Sequence, residues 1–192
     1  MDALLIVVAA LLVLAVVGWI MLLGSRSHTN PHITVGRRLP SFVCKREDGS
    51  TVSSDELAGS RSVLVFVRGS WCPFCSTQVQ ALTYHYRKIT QDGGKLIIVT
   101  RTPLDTTRRV ADQFKVEFEF WLDENLEAAT GLELVDDEDI PARFRGEFGR
   151  RTILPTVIVT DSDNIIRYSY RSSKPSDRPE PQRFMSVFEA IS

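Results

Sequence analysis

The chain has 192 residues, a formal net charge of −1, and 43% hydrophobic against 24% charged residues. That balance excludes a disordered chain and the basic footprint of a nucleic-acid binder. Eleven glycines and nine prolines are too few for a fibrous or low-complexity chain, and three cysteines cannot staple a small secreted scaffold.

In chain order, the first feature is an uncharged apolar run from Ala3 to Leu23. As a helix it would be about 31 Å long, the thickness of a bilayer's hydrocarbon core. Trp19 stands near one end, where an amphipathic ring suits an interface. Asp2 precedes the run without Lys or Arg, and no A-x-A site follows at Leu23-Gly24-Ser25, which argues against a cleaved signal peptide. The expectation is a transmembrane anchor over 3–23, with the lipid bilayer as a partner. Residues 24–38, with Ser25, Ser27, Thr29, Asn30 and Pro31, read as a polar tether. A folded domain is expected over 39–192. Arg26, Arg37 and Arg38 follow the anchor, which by charge alone favours a cytoplasmic domain.

Phe42–Lys45 and Thr51-Val52, separated by Asp48-Gly49, predict a hairpin. Val63–Val67 is a continuous β-branched run, as in a strand buried on both faces. A helix is expected from Cys72 to Lys88, with Val79, Leu82, Tyr86 and Ile89 on one face and Asp92-Gly93-Gly94 as its stop. Leu96–Val99 is a second buried strand, so strand, helix and strand form a βαβ unit. Further helices are expected over Leu104–Phe114, Glu124–Thr130 and Asp139–Phe148, with a short strand at Phe118–Trp121. Thr156–Val159 and Ile165–Tyr170, turned by Asp161–Asn164, predict an antiparallel pair, and Gln182–Ile191 a closing helix. The pattern is mixed α/β.

Trp71-Cys72-Pro73-Phe74-Cys75 falls between a buried strand and a helix. A Cys-x-x-Cys in that place is a redox pattern. The first sulfur sits at a helix N-terminus, where unpaired N–H groups and the macrodipole favour a thiolate. The second lies one helical turn on, within reach of a mixed disulfide. Pro73 occupies an early helical position that needs no N–H. A zinc site would need two further ligands at suitable spacing, and none stands in the sequence. Leu154-Pro155-Thr156 precedes a strong strand, a place for a special turn, a cis bond among the options.

Together these residues resemble the thioredoxin-fold superfamily. The fit is closest to the peroxiredoxin-like branch of the alkyl hydroperoxide reductase/thiol-specific antioxidant (AhpC/TSA, or redoxin) family. The stretches that carry it are Leu39-Pro40-Ser41-Phe42 with Asp48-Gly49; Val65 to Cys75; Phe120-Trp121-Leu122-Asp123 with Gly131-Leu132; Leu154-Pro155-Thr156; and Arg178-x-Glu180-Pro181. The resemblance implies a thioredoxin-like α/β domain with Cys72 as exposed nucleophile and Cys75 as resolving thiol, forming a redox-active disulfide. It implies a substrate groove at Trp71, Pro73, Leu154, Pro155 and Thr156, with backbone groups of Leu154 open to an extended peptide. Arg68, four residues before Cys72, is a candidate support for the thiolate. The partners implied are a protein or small-molecule disulfide, or a peroxide, and a thiol electron donor; no metal or flavin cofactor is needed. Tethered thioredoxin-like domains of this kind face the periplasm, which is the location expected here against the charge count.

Typical peroxiredoxins carry Pro and Thr seven and three residues before the peroxidatic cysteine, and an Arg near the later strand. Here Val65 and Gly69 hold the first two positions and no Arg stands at Leu154-Pro155-Thr156. Those departures put a membrane-anchored thiol–disulfide oxidoreductase first, a peroxiredoxin-type thiol peroxidase second, and a redox-inactive binding module third. Cys44, His85, the Asp136–Asp139 acids with the arginines after them, and the Tyr168/Tyr170 face are expected to serve packing or solvation.

Overall fold

The computed structural model describes residues 12–13, 30–102, 105–137 and 140–191. Pro31–Ser192 forms one compact unit. Its centre is a seven-stranded sheet, and the strand ranges follow the apolar runs of the sequence. The strands are β1 (Val43–Lys45), β2 (Thr51–Ser53), β3 (Ser62–Phe66), β4 (Lys95–Thr100), β5 (Glu119–Leu122), β8 (Thr156–Thr160) and β9 (Ile166–Arg171). Their order across the sheet is β2-β1-β5-β4-β3-β8-β9. A two-stranded ribbon joins β6 (Val135–Asp136) to β7 (Thr152–Ile153).

The helices are α1 (Pro73–Thr90), α2 (Asp105–Phe114), α3 (Glu127–Gly131), α4 (Arg145–Phe148) and α5 (Pro181–Ala190). β3 runs parallel to β4, as the expected βαβ unit requires, and antiparallel to β8. Every residue of β3 is buried. Val63 and Val65 point to one side, toward Val79, Leu82, Phe184 and Phe188 of α1 and α5. Leu64 and Phe66 point to the other, toward Phe42, Trp121 and Leu57. A strand covered on both faces has no polar side to show, and this is why β3 and β4 read as unbroken apolar runs.

Two expected helices come out shorter. Glu124–Thr130 is helical only over α3, because Asp123 turns back to cap it. Its carboxylate accepts from Ala128 N–H (3.1 Å) and Ala129 N–H (2.8 Å). In place of a helix over Asp139–Phe148 there is a 3-10 turn, Ala142–Phe144, followed by α4. Gly149, at φ 72°, ends it. Residues 138 and 139 lie outside the described residues.

The expected membrane-spanning helix is corrected. No helix among the described residues is long and apolar enough to cross a membrane, which takes about 20 consecutive apolar residues. Of the run 3–23, only Leu12 and Val13 are described, both exposed in a helical conformation. The rest lies outside the described residues. The bilayer as a partner, and the membrane and periplasmic location that depended on it, are withdrawn. The last part of the expected tether is built into the fold: Gly36 N–H donates to Ile166 O, Ile166 N–H to Arg37 O and Leu39 N–H to Asn164 O. Ile33 is buried in the core.

The link from α1 to β4 is the tightest described turn. Gly93 adopts φ 79°, and Gly94 then passes so close to α1 that a Cβ there would lie 2.0 Å from Ile89 O and 2.7 Å from the Phe188 ring. Gly94→Ala is expected to destabilise the fold by about 3 kcal/mol or more, since backbone stands in the way and cannot yield. A urea titration checks this: the midpoint falls with the slope unchanged.

Candidate active site

Cys72 is the N-cap of α1, with extended backbone (φ −94°, ψ 110°), and Pro73 is the first helical residue. The Cys72 carbonyl accepts from Cys75 N–H (3.1 Å) and Ser76 N–H (3.3 Å), so the first helical turn wraps around it. All three cysteines of the chain are free thiols. Cys72 and Cys75 are hydrogen-bonded to each other through their side chains. The thiol of Cys72 is pushed down to about 6, first by the side-chain bond from Cys75, then by the Cys75 backbone N–H and the charges of Arg68 and Arg178, against its burial. Cys75 moves the other way: its bond to Cys72 and its burial hold its proton on well above the ordinary thiol range. Above about pH 6 the negative charge is therefore favoured on Cys72, at the helix N-terminus, with the proton on Cys75.

The expected exposure of Cys72 is not found. Its relative exposure is 1% and that of Cys75 is 0%. Trp71 packs over this part of the core. Its indole lies between the Arg68 guanidinium, 4.5 Å from the ring, and Phe144, with ring centroids 6.0 Å apart. Phe144 of the Ala142–Phe144 turn thus packs on Trp71, which packs against the core cluster that holds Cys72 and Cys75. Arg101 ties the end of α4 in place by donating to the carbonyl of Phe148.

Gly69 explains one departure from the usual peroxiredoxin pattern. It adopts φ 140°, and a Cβ there would meet Trp71 Nε1 at 3.0 Å. A threonine would be strained in this backbone region and would displace the indole. Arg68 is buried, with 4% exposure, which a strand-end surface residue would not be. Its N–H points at Cys75 Sγ (3.4 Å), and its carbonyl accepts from the Thr152 hydroxyl (3.1 Å).

Leu154 and Pro155 lie beside this centre in a different state from the one expected. No cis peptide occurs among the described residues, so the Leu154–Pro155 bond is trans. Their backbone groups are engaged internally. Leu154 N–H donates to Leu134 O (2.7 Å), and Pro155 O accepts from Ser172 N–H (2.8 Å). Leu154 O accepts the Thr156 hydroxyl (3.0 Å). Pro73 is exposed at the start of α1.

Two residues were not read from the sequence as part of the centre. Arg178 donates from Nη2 to Cys75 Sγ (3.4 Å). Its signal was present as Arg178-x-Glu180-Pro181, but nothing local says that a residue after β9 returns to α1. Tyr170, expected to pack, donates its hydroxyl to Asp177 (2.5 Å). Cys44, by contrast, lies in the core on the opposite face of the sheet from Cys72 and Cys75. Burial, and then the charge of Asp123, push its thiol up to about 12. It packs in the core beside Phe42, Val52 and Leu57. His85 is half-buried, and burial lowers its basicity. No cluster of His, Cys, Asp or Glu among the described residues could hold a metal ion.

The sulfur charges set a pH dependence. Cys72 is mostly thiolate above about pH 6 and protonated below it. Alkylation of Cys72 by iodoacetamide, followed by peptide mass spectrometry on the reduced full chain, is expected to be half-maximal near pH 6. It should fall about tenfold per pH unit below that point. Cys75→Ala removes the largest stabilising contact and should move the midpoint upward. A wild-type midpoint near 9 would contradict this geometry.

Comparison with known proteins follows the same lines. Residues 35–169 match the AhpC/TSA family. The chain is 25% identical over 141 residues to peroxiredoxin Q, chloroplastic, of Triticum aestivum, covering 73% of this chain and 60% of that protein. It is 23% identical to the chloroplastic peroxiredoxin Q of Sedum lineare, of which it covers 70%. The chain thus spans about 60% of the length of the wheat relative. Among solved structures, a cysteine mutant of peroxiredoxin 6 from Arenicola marina superposes with a TM-score of 0.67 at 19% identity, over 82% of this chain and 72% of that one. Peroxidoxin BcpB from Mycobacterium tuberculosis gives 0.64 at 14% identity, over 84% and 99%. These structural likenesses support the thioredoxin-like fold, and the match over residues 35–169 shows that the chain belongs to the AhpC/TSA family.

Proposed function

We propose that this chain is a thiol-dependent peroxidase in which Cys72 attacks the peroxide and Cys75 resolves the product. The observation that carries this reading is the buried Cys72 thiolate, held at about 6 by a protonated Cys75 one turn along the same helix. With Cys72 at 1% exposure, reaction with the disulfide of a folded protein would require a larger opening of its surroundings than reaction with a small hydroperoxide. The internal engagement of Leu154 and Pro155 supports the same choice, since little main chain is left there to bind an extended peptide. The peroxiredoxin relatives favour it over thiol–disulfide exchange, which would use the same two sulfurs.

In the first step the Cys72 thiolate attacks one peroxide oxygen and the O–O bond breaks. Cys72 is oxidised to the sulfenic acid, and the peroxide is reduced to an alcohol or water as its leaving oxygen takes a proton. In the second, Cys75 gives up its proton and its thiolate attacks the sulfenic sulfur; the S–O bond breaks, the departing hydroxide takes up a proton, and water leaves as the disulfide forms. A thiol reductant restores the pair by exchange. The positive charges that assist come from Arg68 and Arg178, whose fields lower the Cys72 thiol. Such fixed charge stabilises the developing oxyanion as an oxyanion hole does.

Stopped-flow tryptophan fluorescence on the reduced full chain tests the proposal. Hydrogen peroxide is expected to oxidise the protein at least about a hundredfold faster than a free thiol, and Cys72→Ser should abolish the change. A peroxide rate no better than a free thiol's, beside rapid reaction with a small disulfide, would return the assignment to thiol–disulfide exchange.

A further inference from the structure

The segment after β9 is built to aim one guanidinium. Ser172 N–H hangs it from Pro155 O (2.8 Å), at the start of β8. Asp177 then gathers its neighbours. Its carboxylate accepts from the Tyr170 hydroxyl (2.5 Å), Ser173 N–H (3.0 Å) and the Ser173 hydroxyl (3.2 Å). Its carbonyl accepts from the Ser172 hydroxyl (2.6 Å) and from Arg178 Nη1 (2.7 Å). With Nη1 held on that carbonyl, Nη2 reaches Cys75 Sγ at 3.4 Å. The Asp177 carboxylate is occupied by Tyr170 and Ser173, while Arg178 bonds a carbonyl and a sulfur, neither of which cancels its charge. The approach is to Cys75, not to Cys72, and Arg68 N–H meets the same sulfur from the other side of the chain.

The placement has a consequence for the order of events, resting on the reading of Cys72 as the nucleophile. While Cys72 is a thiolate, its charge keeps the proton on Cys75. Once Cys72 has become a neutral sulfenic acid, that charge is gone. What remains around Cys75 is its burial, which opposes the anion, and the Arg178 guanidinium and the Arg68 N–H, both of which favour it. We propose that Arg178 is a catalytic residue of the second step: its guanidinium, contacting Cys75 Sγ, stabilises the thiolate that attacks the sulfenic sulfur of Cys72. The Cys75 proton leaves to solvent or to the departing hydroxide, the S–O bond of Cys72 breaks, the S–S bond forms, and water is released. The guanidinium reaches the Cys75 sulfur from the segment after β9, not from the Leu154-Pro155-Thr156 stretch, where no arginine stands.

The test uses the full chain in two arms. In the first, Cys72→Ser supplies a neutral neighbour like the sulfenic acid, and Cys75 alkylation is followed against pH by peptide mass spectrometry. Adding Arg178→Gln is expected to raise the Cys75 midpoint by about one pH unit or more, and adding Arg178→Lys to raise it by less. An unchanged midpoint with Arg178→Gln overturns the proposal. Should Arg178→Gln lose its thermal transition, Arg178→Met, which keeps the stem, replaces it. In the second arm, Arg178→Gln alone is mixed with hydrogen peroxide and trapped with dimedone. Disulfide formation is expected to slow about tenfold, as the Cys75 thiolate fraction falls, and dimedone-labelled Cys72 should accumulate. Disulfide formation at the wild-type rate overturns it. If the wild type fails to react with peroxide, the peroxidase reading falls, and the first arm still decides whether Arg178 acts on Cys75.

Discussion

Two buried sulfurs, one favouring the thiolate and the other keeping its proton, are the constraint on which the rest of this structure turns. A lone buried thiol is driven toward its neutral form, as Cys44 is on the far side of the sheet. Cys72 escapes that outcome because everything within reach of it donates: the Cys75 thiol, the Cys75 N–H, and the fields of two arginines. The cost is transferred to Cys75, whose proton is held tightly for as long as Cys72 is charged. The pair is therefore asymmetric before any oxidant arrives. Under the proposed peroxidase reading, that asymmetry makes Cys72 the sulfur that attacks first and Cys75 the one that waits.

The surrounding fold keeps the asymmetry in place. β3, buried along its whole length, delivers Arg68 and Gly69 to the mouth of α1. Gly69 bends under Trp71 in a conformation that a side chain would obstruct. Trp71 contacts both Arg68 and Phe144, and the burial of Cys72 and Cys75 strengthens the electrostatic contacts around them. β8 and the loop after β9 bring Arg178 back to Cys75 from more than a hundred residues away in the chain. The family's usual Pro, Thr and Arg are absent at the expected places, yet positive charge is present at the sulfurs. The charge comes from other positions on the same scaffold.

Much of the scaffold was legible in advance. The β3 and β4 runs, the helix opening at Cys72, the Asp48-Gly49 hairpin and the β8–β9 pair are local signals, and each appears within a residue or two of its expected range. Where local signal was weak, the reading slipped. The stretch Asp139–Phe148 suggested one helix, but it holds a 3-10 turn over Ala142–Phe144 and then the short α4, with Phe144 packed on Trp71. The polar residues before Leu39 suggested a free tether, but Gly36 to Leu39 pair with the turn and strand at Asn164 and Ile166. The apolar run over 3–23 suggested an anchor, but no helix among the described residues is long and apolar enough to cross a membrane.

Spacing along the chain made the available chemistry readable: two cysteines one turn apart, following a buried strand, at a helix start that favours a thiolate. These are local properties of spacing and backbone, so they carry over from one dimension to three. How that chemistry is set depends on contacts between distant segments. The tertiary structure placed Cys72 at 1% exposure where an open nucleophile was expected, made Arg68 an interior residue, and closed the Leu154–Pro155 main chain upon itself. It also brought Arg178 to Cys75. Burial and electrostatic neighbours depend on which distant segments meet, and no periodicity within a segment encodes that meeting.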